Sequence, residues 1–376
     1  MTPWLLASGD FVPIGGMDTA NHALASYLAR RGEGEVHLVA HRVSSDLSAR
    51  PSIHVHRVPR PFGLHSLGEP LLTRIATRRA REIRAAGGHV VANGGNVDAG
   101  DVSWVHYVHA AYRPSAAGAL NSAIVALRRR GYVAAERRAL TRARLIVCNS
   151  ARTVEDVVGC VGVDSTRVRQ VYYGIDPMRF RPQRDSAGAK GAFGYDTARP
   201  VVLFVGALGD RRKGFDTLFS AWCDLCRVPG WDAQLIVAGS GAELGAWQAR
   251  AARRGEVANR VTFLGYRTDV PALMAAADLL VHPARYEAYG LGVHEALCCG
   301  VPAVVSASAG VAERFPHDLR PLLLQDVESV AELTTRLRTW RDAKENFRAR
   351  AMAFSAALGA RTWDDMSRDI VAMAES

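Results

Sequence analysis

The chain has 376 residues, of which 48% are hydrophobic and 22% charged, and its formal net charge is +10. This length and apolar content suffice for two cores of ordinary domain size, whereas the longest apolar runs are too short to span a membrane. The composition therefore predicts two domains and excludes a membrane-spanning protein.

Positive charge is concentrated in the first half of the chain. Residues 1–180 hold 23 arginines and 14 acidic residues, whereas the remainder holds 24 basic and 23 acidic residues. Such a field attracts anionic partners, namely acidic lipid headgroups, a phosphorylated or carboxylated acceptor, or nucleic acid. Nucleic acid is disfavoured because the basic residues lack interleaved aromatics and no recognition motif occurs. Plain solvation of arginine-rich helix faces is the alternative interpretation.

Cysteine usage and the first residues bear on the compartment. Six cysteines in so long a chain do not resemble a disulfide framework, and Cys223 and Cys226 have no second pair that would complete a zinc site. The start of the chain lacks a charged region before an apolar stretch. We therefore expect reduced, mostly buried thiols and a cytoplasmic protein.

The first predicted strand, residues 4–8, leads through a turn into a helix predicted over residues 17–31. The turn contains Gly15 and Gly16, and the apolar residues of the helix fall on one face. A strand, a glycine turn and a helix N-terminus together form a cradle that can bind an anion. An ordinary tight turn is the alternative.

An amphipathic helix is predicted over residues 64–87. Its apolar side is formed by Leu67, Leu71, Leu72, Ile75 and Ala76, and arginines surround that side. A basic amphipathic helix can lie on a membrane surface. It can equally be a surface helix of a doubly wound domain.

Two histidines, His106 and His109, lie near the end of a β-rich stretch, residues 103–109. Ligands bind at strand ends in open α/β sheets, so both histidines are candidate site residues. A structural role is the alternative for each.

After a predicted helix, residues 119–141, and a strand, residues 145–148, the composition shifts. Residues 181–199 are rich in glycine, alanine, proline and charge, as an exposed boundary should be. We predict a first domain over 1–180, a linker over 181–199, a second domain over 200–358 and a terminal helix within 359–376.

The second domain opens with an apolar strand, residues 200–205. Gly206 follows it, and then Arg211, Arg212 and Lys213. A strand, a glycine loop and paired cations suit a pyrophosphate, because arginine offers a planar fork and lysine a compact charge. Only three of the 47 basic residues are lysines. A lysine at this position therefore indicates that the site requires the smaller ammonium group instead of a guanidinium.

Residues 279–302 combine a buried strand end, a loop with Glu287 and a short helix over about 291–299. Gly290 and Gly292 leave room for the backbone to approach a ligand, and the free N–H groups of the helix end suit a phosphate. Glu295 lies about one turn into the helix. Two carboxylates that bracket an anion site suit a nucleotide sugar; a loop glutamate plus a solvated helix glutamate is the alternative.

At these residues the sequence resembles the C-terminal half of retaining GT-B glycosyltransferases of family 4, whose signature is two glutamates separated by seven residues. The match extends through Pro283, Glu287, Gly290, Glu295, Ala296, Gly300, Pro302 and residues 308–313. The resemblance implies an α/β fold of two Rossmann-like, doubly wound domains, with the active site in an interdomain cleft. It also implies that the terminal helix crosses back to the first domain.

The same resemblance implies roles for individual residues. It places His109, with His106 as a rival, near the transferred sugar, and it makes Lys213, Arg212 and Glu287 the other catalytic residues. The implied donor site comprises Gly15, Gly16, Gly206, Arg212, Lys213, Arg267, Ala288, Tyr289, Gly290, Leu291 and Glu295. Two positions depart from the family pattern, because Ala207 replaces an arginine and Tyr173 an asparagine. Arg212, or less favourably Arg211, would then supply the second positive charge.

We therefore expect a retaining glycosyltransferase without a metal or other cofactor, since no Asp-x-Asp motif occurs. Its donor would be a nucleotide sugar, UDP-linked rather than GDP-linked, and its acceptor a small molecule, a glycan or a lipid-linked compound. It would be cytoplasmic, or peripheral on the inner face of the membrane. The alternatives are a nucleotide-sugar isomerase or epimerase on the same fold and a non-catalytic sensor. Intact Glu287, Glu295 and Lys213 argue against the sensor.

Overall fold

The computed structural model of the protein describes residues 2–98, 101–114, 119–183 and 185–376. The chain divides into two compact units. Unit 1 comprises Met1–Gly174 together with Arg361–Ser376, and unit 2 comprises Ile175–Ala360.

The described residues form fifteen strands and fourteen α-helices. The strands are β1 (Trp4–Ala7), β2 (Asp10–Phe11), β3 (Val36–Ala40), β4 (Arg42–Val43), β5 (Ile53–Arg57), β6 (His89–Asn93), β7 (Val102–Val105), β8 (Leu145–Cys148), β9 (Val168–Gln170), β10 (Val201–Val205), β11 (Gln234–Ala238), β12 (Val261–Gly265), β13 (Leu279–His282), β14 (Ala303–Ser306) and β15 (Leu323–Leu324). The helices are α1 (Gly16–Arg31), α2 (Ser45–Ser48), α3 (His65–Ala85), α4 (Ala119–Arg142), α5 (Ala151–Asp156), α6 (Ser186–Ala192), α7 (Phe215–Cys226), α8 (Leu244–Ala252), α9 (Gly255–Ala258), α10 (Val270–Ala276), α11 (Leu291–Cys298), α12 (Val330–Asp342), α13 (Lys344–Gly359) and α14 (Trp363–Glu375).

Each unit is built around a parallel sheet. Unit 1 has seven strands in the order β5-β3-β1-β6-β7-β8-β9, and a small separate pair, β2-β4; unit 2 has six strands in the order β12-β11-β10-β13-β14-β15. Strands β1, β8, β13 and β14 are buried along their whole length. Such continuously apolar strands need cover on both faces, which the helices supply. The predicted fold class, two Rossmann-like doubly wound domains, is confirmed.

The strand order reverses once in each main sheet, between β1 and β6 in unit 1 and between β10 and β13 in unit 2. At such a switch point the loops that leave the two strands diverge and open a crevice at their carboxyl ends. In unit 2 these two loops carry Lys213 and Glu287. The topology therefore places both predicted site loops beside each other.

The terminal helix α14 belongs to unit 1, where it packs on α1. Its start is fixed by a capping box between Thr362 and Asp365, and Met366 and Ile370 are buried. Arg31 of α1 donates a hydrogen bond of 2.7 Å to Glu375. Unit 1 is thus assembled from both ends of the chain.

The chain passes from unit 1 to unit 2 after Gly174, so residues 181–199, the predicted linker, belong to unit 2. Most of the residues that the structure describes in this segment are exposed. There α6 buries Lys190, whose ammonium lies 2.7 Å from the Asp278 carboxylate. Composition could not show this ion pair, because its partner lies far along the chain.

Helix α3 buries only part of its predicted apolar side. Leu72 and Ala76 are fully buried, whereas Leu67 and Leu71 remain 45% and 37% exposed. On α4, Leu127 is 69% exposed. Unit 1 therefore presents apolar side chains to solvent on both of these arginine-rich helices.

The described helices and the six cysteines bear on the membrane and on the state of the thiols. Within the described ranges, no helix is both long and apolar enough to cross a membrane. The six cysteines are free; Cys160 is exposed and the other five are buried.

Candidate active site

A lysine, a glutamate and a histidine meet at the switch point of unit 2. Lys213 closes a 3-10 turn after β10, Glu287 lies in the loop after β13, and His282 is the last residue of β13. The Lys213 Nζ lies 2.7 Å from Glu287 Oε2, and His282 Nε2 lies 2.9 Å from the same oxygen. The side chains of Lys213 and Glu287 keep 18% and 15% of their surface exposed, so a ligand can reach both.

The charge states in this cluster follow from burial and pairing. Burial alone would raise the pKa of Glu287, but the charges of Lys213 and Arg212 and the contact with His282 outweigh it and hold the pKa well below its ordinary value. Burial lowers the pKa of His282 despite the neighbouring carboxylate. An ionised carboxylate only accepts hydrogen bonds. The neutral imidazole therefore carries its proton on Nε2, and this N–H donates a hydrogen bond to Glu287.

Close backbone contact fixes the two loops against each other. Gly214 has φ +69°, and a Cβ atom there would lie 2.0 Å from the carbonyl oxygen of Pro283. The Arg285 N–H donates to the carbonyl of Arg212 at 2.8 Å. Only glycine fits such an approach, so Gly214 positions Lys213 over the loop of Glu287.

The second cation beside the cluster is Arg212. Its guanidinium donates to Asp210 at 3.1 and 3.2 Å, and its charge contributes to the lowered pKa of Glu287. Arg211 instead donates to Asp216 at 3.2 Å. Of the two arginines proposed to compensate for Ala207, Arg212 therefore acts on the cluster.

Glu295 differs sharply from Glu287. It lies on α11, is partly buried, and its carboxyl group accepts no hydrogen bond from any residue that the structure describes. Burial raises its pKa to about 8, and the opposing effect of Arg179 is smaller. At neutral pH this carboxyl group is mainly protonated, and it can donate a hydrogen bond to a ligand hydroxyl.

The start of α11 has the geometry of a close backbone approach. Gly290 has φ +104° and precedes Leu291, the first residue of the helix. A Cβ atom at Gly290 would lie 2.9 Å from the Val311 side chain. Ala288 and Tyr289 are buried, and the Tyr289 hydroxyl contacts His294 at 2.7 Å. The predicted ligand contacts at 288 and 289 would therefore come from the backbone.

In unit 1, His106 is held by its neighbours. Its Nδ1 contacts the Tyr173 hydroxyl, its Nε2 lies 3.2 Å from Asn93 Oδ1, and Asn149 donates to the Tyr173 hydroxyl at 3.1 Å. Burial lowers the pKa of His106 to about 3. Both ring nitrogens are thus engaged within the protein, as in a structural histidine.

His109 presents the opposite situation. Its backbone N–H donates to Glu136 at 2.8 Å, while its ring lies 4.8 Å from the Tyr107 ring and 5.0 Å from that of Tyr132. Burial, aided by Arg129, lowers its pKa to about 4. Its ring makes no hydrogen bond with the described residues, so of the two rivals His109 is the one that can act on a ligand.

The remaining predicted residues lie at separate places. Gly15, with φ +78°, precedes α1, and Gly16 is the first residue of that helix. Gly206 follows β10 and donates to the carbonyl of Ala238 at 3.1 Å. Arg267 follows the edge strand β12 and is paired with Asp269. The sheet order thus separates Arg267 from β10 by one strand.

His282 is not among the predicted site residues. Its position at the end of a buried strand is a signal for a site residue, because ligands bind at strand ends in such sheets. A single histidine beside an apolar run also fits a core residue, so this signal alone does not select it. In the part of the chain with defined placement, no group of three or more His, Cys, Asp or Glu side chains could hold a metal ion.

These two parallel-sheet units, with a charged crevice at the switch point of unit 2, define a class of α/β protein that binds ligands at strand ends. A profile described as "Glycosyl transferases group 1" matches residues 199–339, and one described as "Glycosyltransferase Family 4" matches residues 14–179. Together they cover most of the chain. The chain belongs to the family-4, group-1 glycosyltransferases of the GT-B fold.

Relatives and solved structures agree with this assignment. The lipopolysaccharide core biosynthesis mannosyltransferase LpsB of Rhizobium meliloti is 36% identical over 150 residues, which are 38% of this chain and 41% of the relative. A D-inositol 3-phosphate glycosyltransferase of Mycobacterium sp. (strain JLS) is 34% identical over 182 residues, 47% of this chain and 40% of the relative. The matches thus span about two fifths of these relatives' own lengths.

Two solved structures share the fold over the whole chain. WaaG, a glycosyltransferase involved in lipopolysaccharide biosynthesis, superposes with a TM-score of 0.78, 22% identity and 99% coverage of both chains. HepE from Anabaena, in complex with UDP and glucose, gives a TM-score of 0.69, 21% identity and 100% coverage of both chains. At this level of identity the likeness concerns the fold.

Proposed function

We propose that the protein transfers a sugar from a nucleotide-sugar donor to an acceptor, with retention of anomeric configuration. The observation that carries this proposal is the Lys213–Glu287 contact of 2.7 Å at the switch point of unit 2. It combines a fixed cation, suited to a phosphate, with an ionised carboxylate, suited to sugar hydroxyls, within one crevice.

In the proposed reaction, the bond between the anomeric carbon and the diphosphate oxygen breaks, and the same carbon forms a bond to an acceptor hydroxyl oxygen. The proton of that hydroxyl passes to the nucleoside diphosphate, which leaves. Lys213 and Arg212 stabilise the negative charge that develops on it, which is the electrostatic contribution that usually dominates such catalysis. Lys213 is already oriented by Glu287, so little reorganisation is needed when the donor binds. We also propose His109 as a residue that contacts the transferred sugar.

The two glutamates divide the recognition of the donor. Glu287, ionised, accepts hydrogen bonds from hydroxyls of the transferred sugar, and Glu295 binds the ribose hydroxyls. Glu295→Ala should mainly weaken the binding of free nucleoside diphosphate, whereas Glu287→Ala should mainly slow transfer. Equal loss of nucleotide affinity in both variants, measured by titration, would refute this division.

A UDP-linked donor is favoured over a GDP-linked one. HepE, which shares the fold, has been solved with UDP and with UDP-glucose. The acceptor is proposed to be a small molecule, a glycan or a lipid-linked compound; the names of LpsB and of the inositol phosphate glycosyltransferase point to acceptors of two such kinds.

The decisive experiment is incubation with UDP- and GDP-sugars, with and without candidate acceptors, while nucleotide release is followed. Acceptor-dependent release of UDP supports the transferase. Conversion of the donor into another nucleotide sugar without release would identify an isomerase or epimerase. Binding with neither outcome would identify a sensor.

We also propose that unit 1 contacts the inner face of an anionic membrane peripherally. Phe62, Leu67 and Leu71 are exposed at and just before the start of α3, as is Leu127 on α4, among many arginines. Apolar side chains ringed by cations suit a lipid interface. Vesicles with acidic lipid should bind the protein at low salt and release it as the Debye length falls to about 8 Å.

The membrane contact can be tested independently of donor binding. Phe62→Ser combined with Leu127→Ser should reduce vesicle binding, and charge reversal at Arg78 and Arg81 should reduce it further, while UDP binding stays unchanged. Absence of vesicle binding by the unaltered protein, together with glycosylation of a soluble small molecule, would overturn this part of the proposal.

A further inference from the structure

A pocket of about 690 Å³ opens between α3 and α4, entirely within unit 1. Five arginines contribute to its wall: Arg74, Arg78, Arg81, Arg128 and Arg138. Two acidic residues, Glu69 and Asp98, share that wall. The pocket therefore carries a clear excess of positive charge, in a volume suited to a small ligand.

Three of these arginines have no counter-ion among the residues that the structure describes. Arg78 donates to Glu82 at 3.0 Å and Arg138 lies 3.7 Å from Asp98, but Arg74, Arg81 and Arg128 make no ion pair or hydrogen bond with the residues that have been placed. A guanidinium has a planar fork of donors that matches phosphate oxygens two at a time. Several guanidinium groups that line one pocket, without an ion-pair partner among the described residues, are therefore suited to binding a phosphate group.

The pocket also has a part suited to hydroxyl groups. Glu69 is half-buried, and its carboxyl group has no hydrogen-bond partner within the described part of the chain. Tyr132 adds a half-buried aromatic face to the same wall. A carboxyl group beside an aromatic ring can bind the hydroxyls and the carbon face of a sugar or polyol ring.

Tyr132 also connects the pocket to His109. The two rings stack at 5.0 Å between centroids, with an interplanar angle of 22°. A ligand against the other side of Tyr132 would therefore lie one aromatic ring away from the histidine proposed to contact the transferred sugar.

We propose that the pocket between α3 and α4 binds a phosphorylated carbohydrate, with the phosphate on Arg74, Arg81 and Arg128 and a ring hydroxyl on Glu69. The pocket thereby holds the anionic end of the acceptor. This second statement rests on the proposed glycosyltransferase function, whereas the binding site itself does not.

The test is calorimetric titration of the full chain at low salt with glucose 6-phosphate, and with glucose as the uncharged match. Glucose 6-phosphate should bind and glucose should bind at least about tenfold more weakly, because a hydrogen bond to a charged group contributes more than a neutral one. Arg81→Gln and Arg128→Gln should each weaken binding of glucose 6-phosphate at least about tenfold. Arg130→Gln, an exposed position on α4 outside the pocket wall, should leave it unchanged.

A second arm distinguishes a soluble ligand from a lipid headgroup. Vesicles of phosphatidic acid in phosphatidylcholine present the same phosphate chemistry at a surface. If the ligand is a lipid-borne phosphate, the protein should bind these vesicles and bind glucose 6-phosphate only weakly. Arg81→Gln should then lose vesicle binding, and Arg130→Gln should retain it. Binding of glucose 6-phosphate in solution supports the soluble source.

Three outcomes would overturn the proposal: neither phosphate probe binds, glucose binds as well as its phosphate, or Arg130→Gln loses as much affinity as Arg81→Gln. UDP titration on the same samples separates this proposal from the glycosyltransferase function. Lys213→Ala should weaken UDP binding and leave glucose 6-phosphate binding intact. If the protein binds glucose 6-phosphate but not UDP, the proposed glycosyltransferase function is refuted and the proposal for the pocket stands.

Discussion

The switch point of unit 2 and the pocket of unit 1 treat positive charge in opposite ways. In unit 2 the cations near the switch point face carboxylates, as Lys213 faces Glu287 and Arg285 faces Asp216 at 2.7 Å. In unit 1, Arg74 and Arg81 point into a pocket without a counter-ion in the described part of the chain. The formal charges of the two halves of the sequence reflect the same contrast.

This difference indicates how each of the two sites would bind an anion. Where the protein pairs its own charges, the cation is oriented in advance and a ligand joins an existing network, which favours catalysis. Where arginines are unpaired, the ligand itself supplies the missing charge, which favours binding and makes it sensitive to salt. The exception in unit 2 is Glu295, a carboxyl group that burial keeps protonated.

The largest expected effect concerns Lys213. Lys213→Ala removes the oriented cation of unit 2, and the loss of such a contact typically costs about 3 to 4 kcal/mol in the barrier. Turnover at saturating donor should fall at least about a hundredfold. Arg211→Gln, in the same turn but paired with Asp216, is the matched control and should change turnover little. Near-normal turnover of Lys213→Ala would show that pairing with Glu287 is only structural.

The next effect concerns the buried pair of Lys190 and Asp278. Lys190→Met leaves Asp278 buried and poorly compensated, and the free energy of unfolding should fall by about 3 kcal/mol. Lys344 and Arg348, whose cationic nitrogens lie 3.8 and 3.9 Å from Asp278, keep the loss from being larger. Urea denaturation of unit 2 measures it.

The control for the buried pair is Lys344→Met, since Lys344 is more exposed than Lys190. It should cost less than about 1 kcal/mol. Equal urea midpoints for Lys190→Met and Lys344→Met would contradict the claim that unit 2 depends on this buried pairing.

The third effect is a dependence of stability on pH that arises from Glu295. The folded state retains the proton up to about pH 8, whereas the unfolded chain releases it near pH 4.5. The folded state therefore binds more protons in this window, and the free energy of unfolding falls as pH rises from about 4.5 to 8. Because the carboxyl group is partly exposed, we expect a loss of about 2 to 3 kcal/mol.

Glu295→Gln tests that sign directly. The variant keeps the shape of the neutral side chain and cannot ionise, so its stability relative to the unaltered protein should increase between pH 5 and pH 8. Glu287→Gln should show no such gain, because the pKa of Glu287 is lowered in the folded protein. If the free energy of unfolding depends on pH in the same way in Glu295→Gln and in the unaltered protein, Glu295 is ionised in the folded protein and the prediction is wrong.

The smallest effect concerns the uncharged polar network of unit 1. Tyr173→Phe removes the hydroxyl that contacts His106 and Asn149. The buried amide of Asn149 and the half-buried ring of His106 each lose a partner, so we expect a loss of about 1 to 2 kcal/mol in the free energy of unfolding. Tyr266→Phe, at a 59% exposed position, should stay within about 0.5 kcal/mol. A shift no larger in Tyr173→Phe would mean that the network contributes little.

Local pattern predicted most of the fold. The strand predicted over residues 200–205 is β10, Val201–Val205, and the helix expected over 291–299 is α11, Leu291–Cys298. Such elements are readable because apolar periodicity and glycine stops act within a few neighbouring residues. Local pattern alone does not place Lys213 and Glu287 on neighbouring loops, because their contact depends on strand order. Only the resemblance to a family indicated that the two residues share a site.

What the sequence could not show depends on distant partners. The roles of His282 and Lys190, and the placement of residues 181–199 inside unit 2, all follow from contacts made across the sheet or between its helices. The choice between His106 and His109 likewise required the positions of Tyr173 and Asn93. A helical pattern shows which side of α3 is apolar and not whether another element covers it, so the exposure of Leu67 and Leu71 could only be seen in the structure.

Helix α14 has a consequence for how the protein is made. Unit 1 includes α14, yet the ribosome must translate the whole of unit 2 before it reaches that helix, which takes on the order of tens of seconds at about 5–20 residues per second. During that interval the surface of α1 that α14 will cover stays open on the nascent chain. A chaperone that shields apolar surface would have its natural target there, and the emergence of α14 would complete the first unit to begin folding.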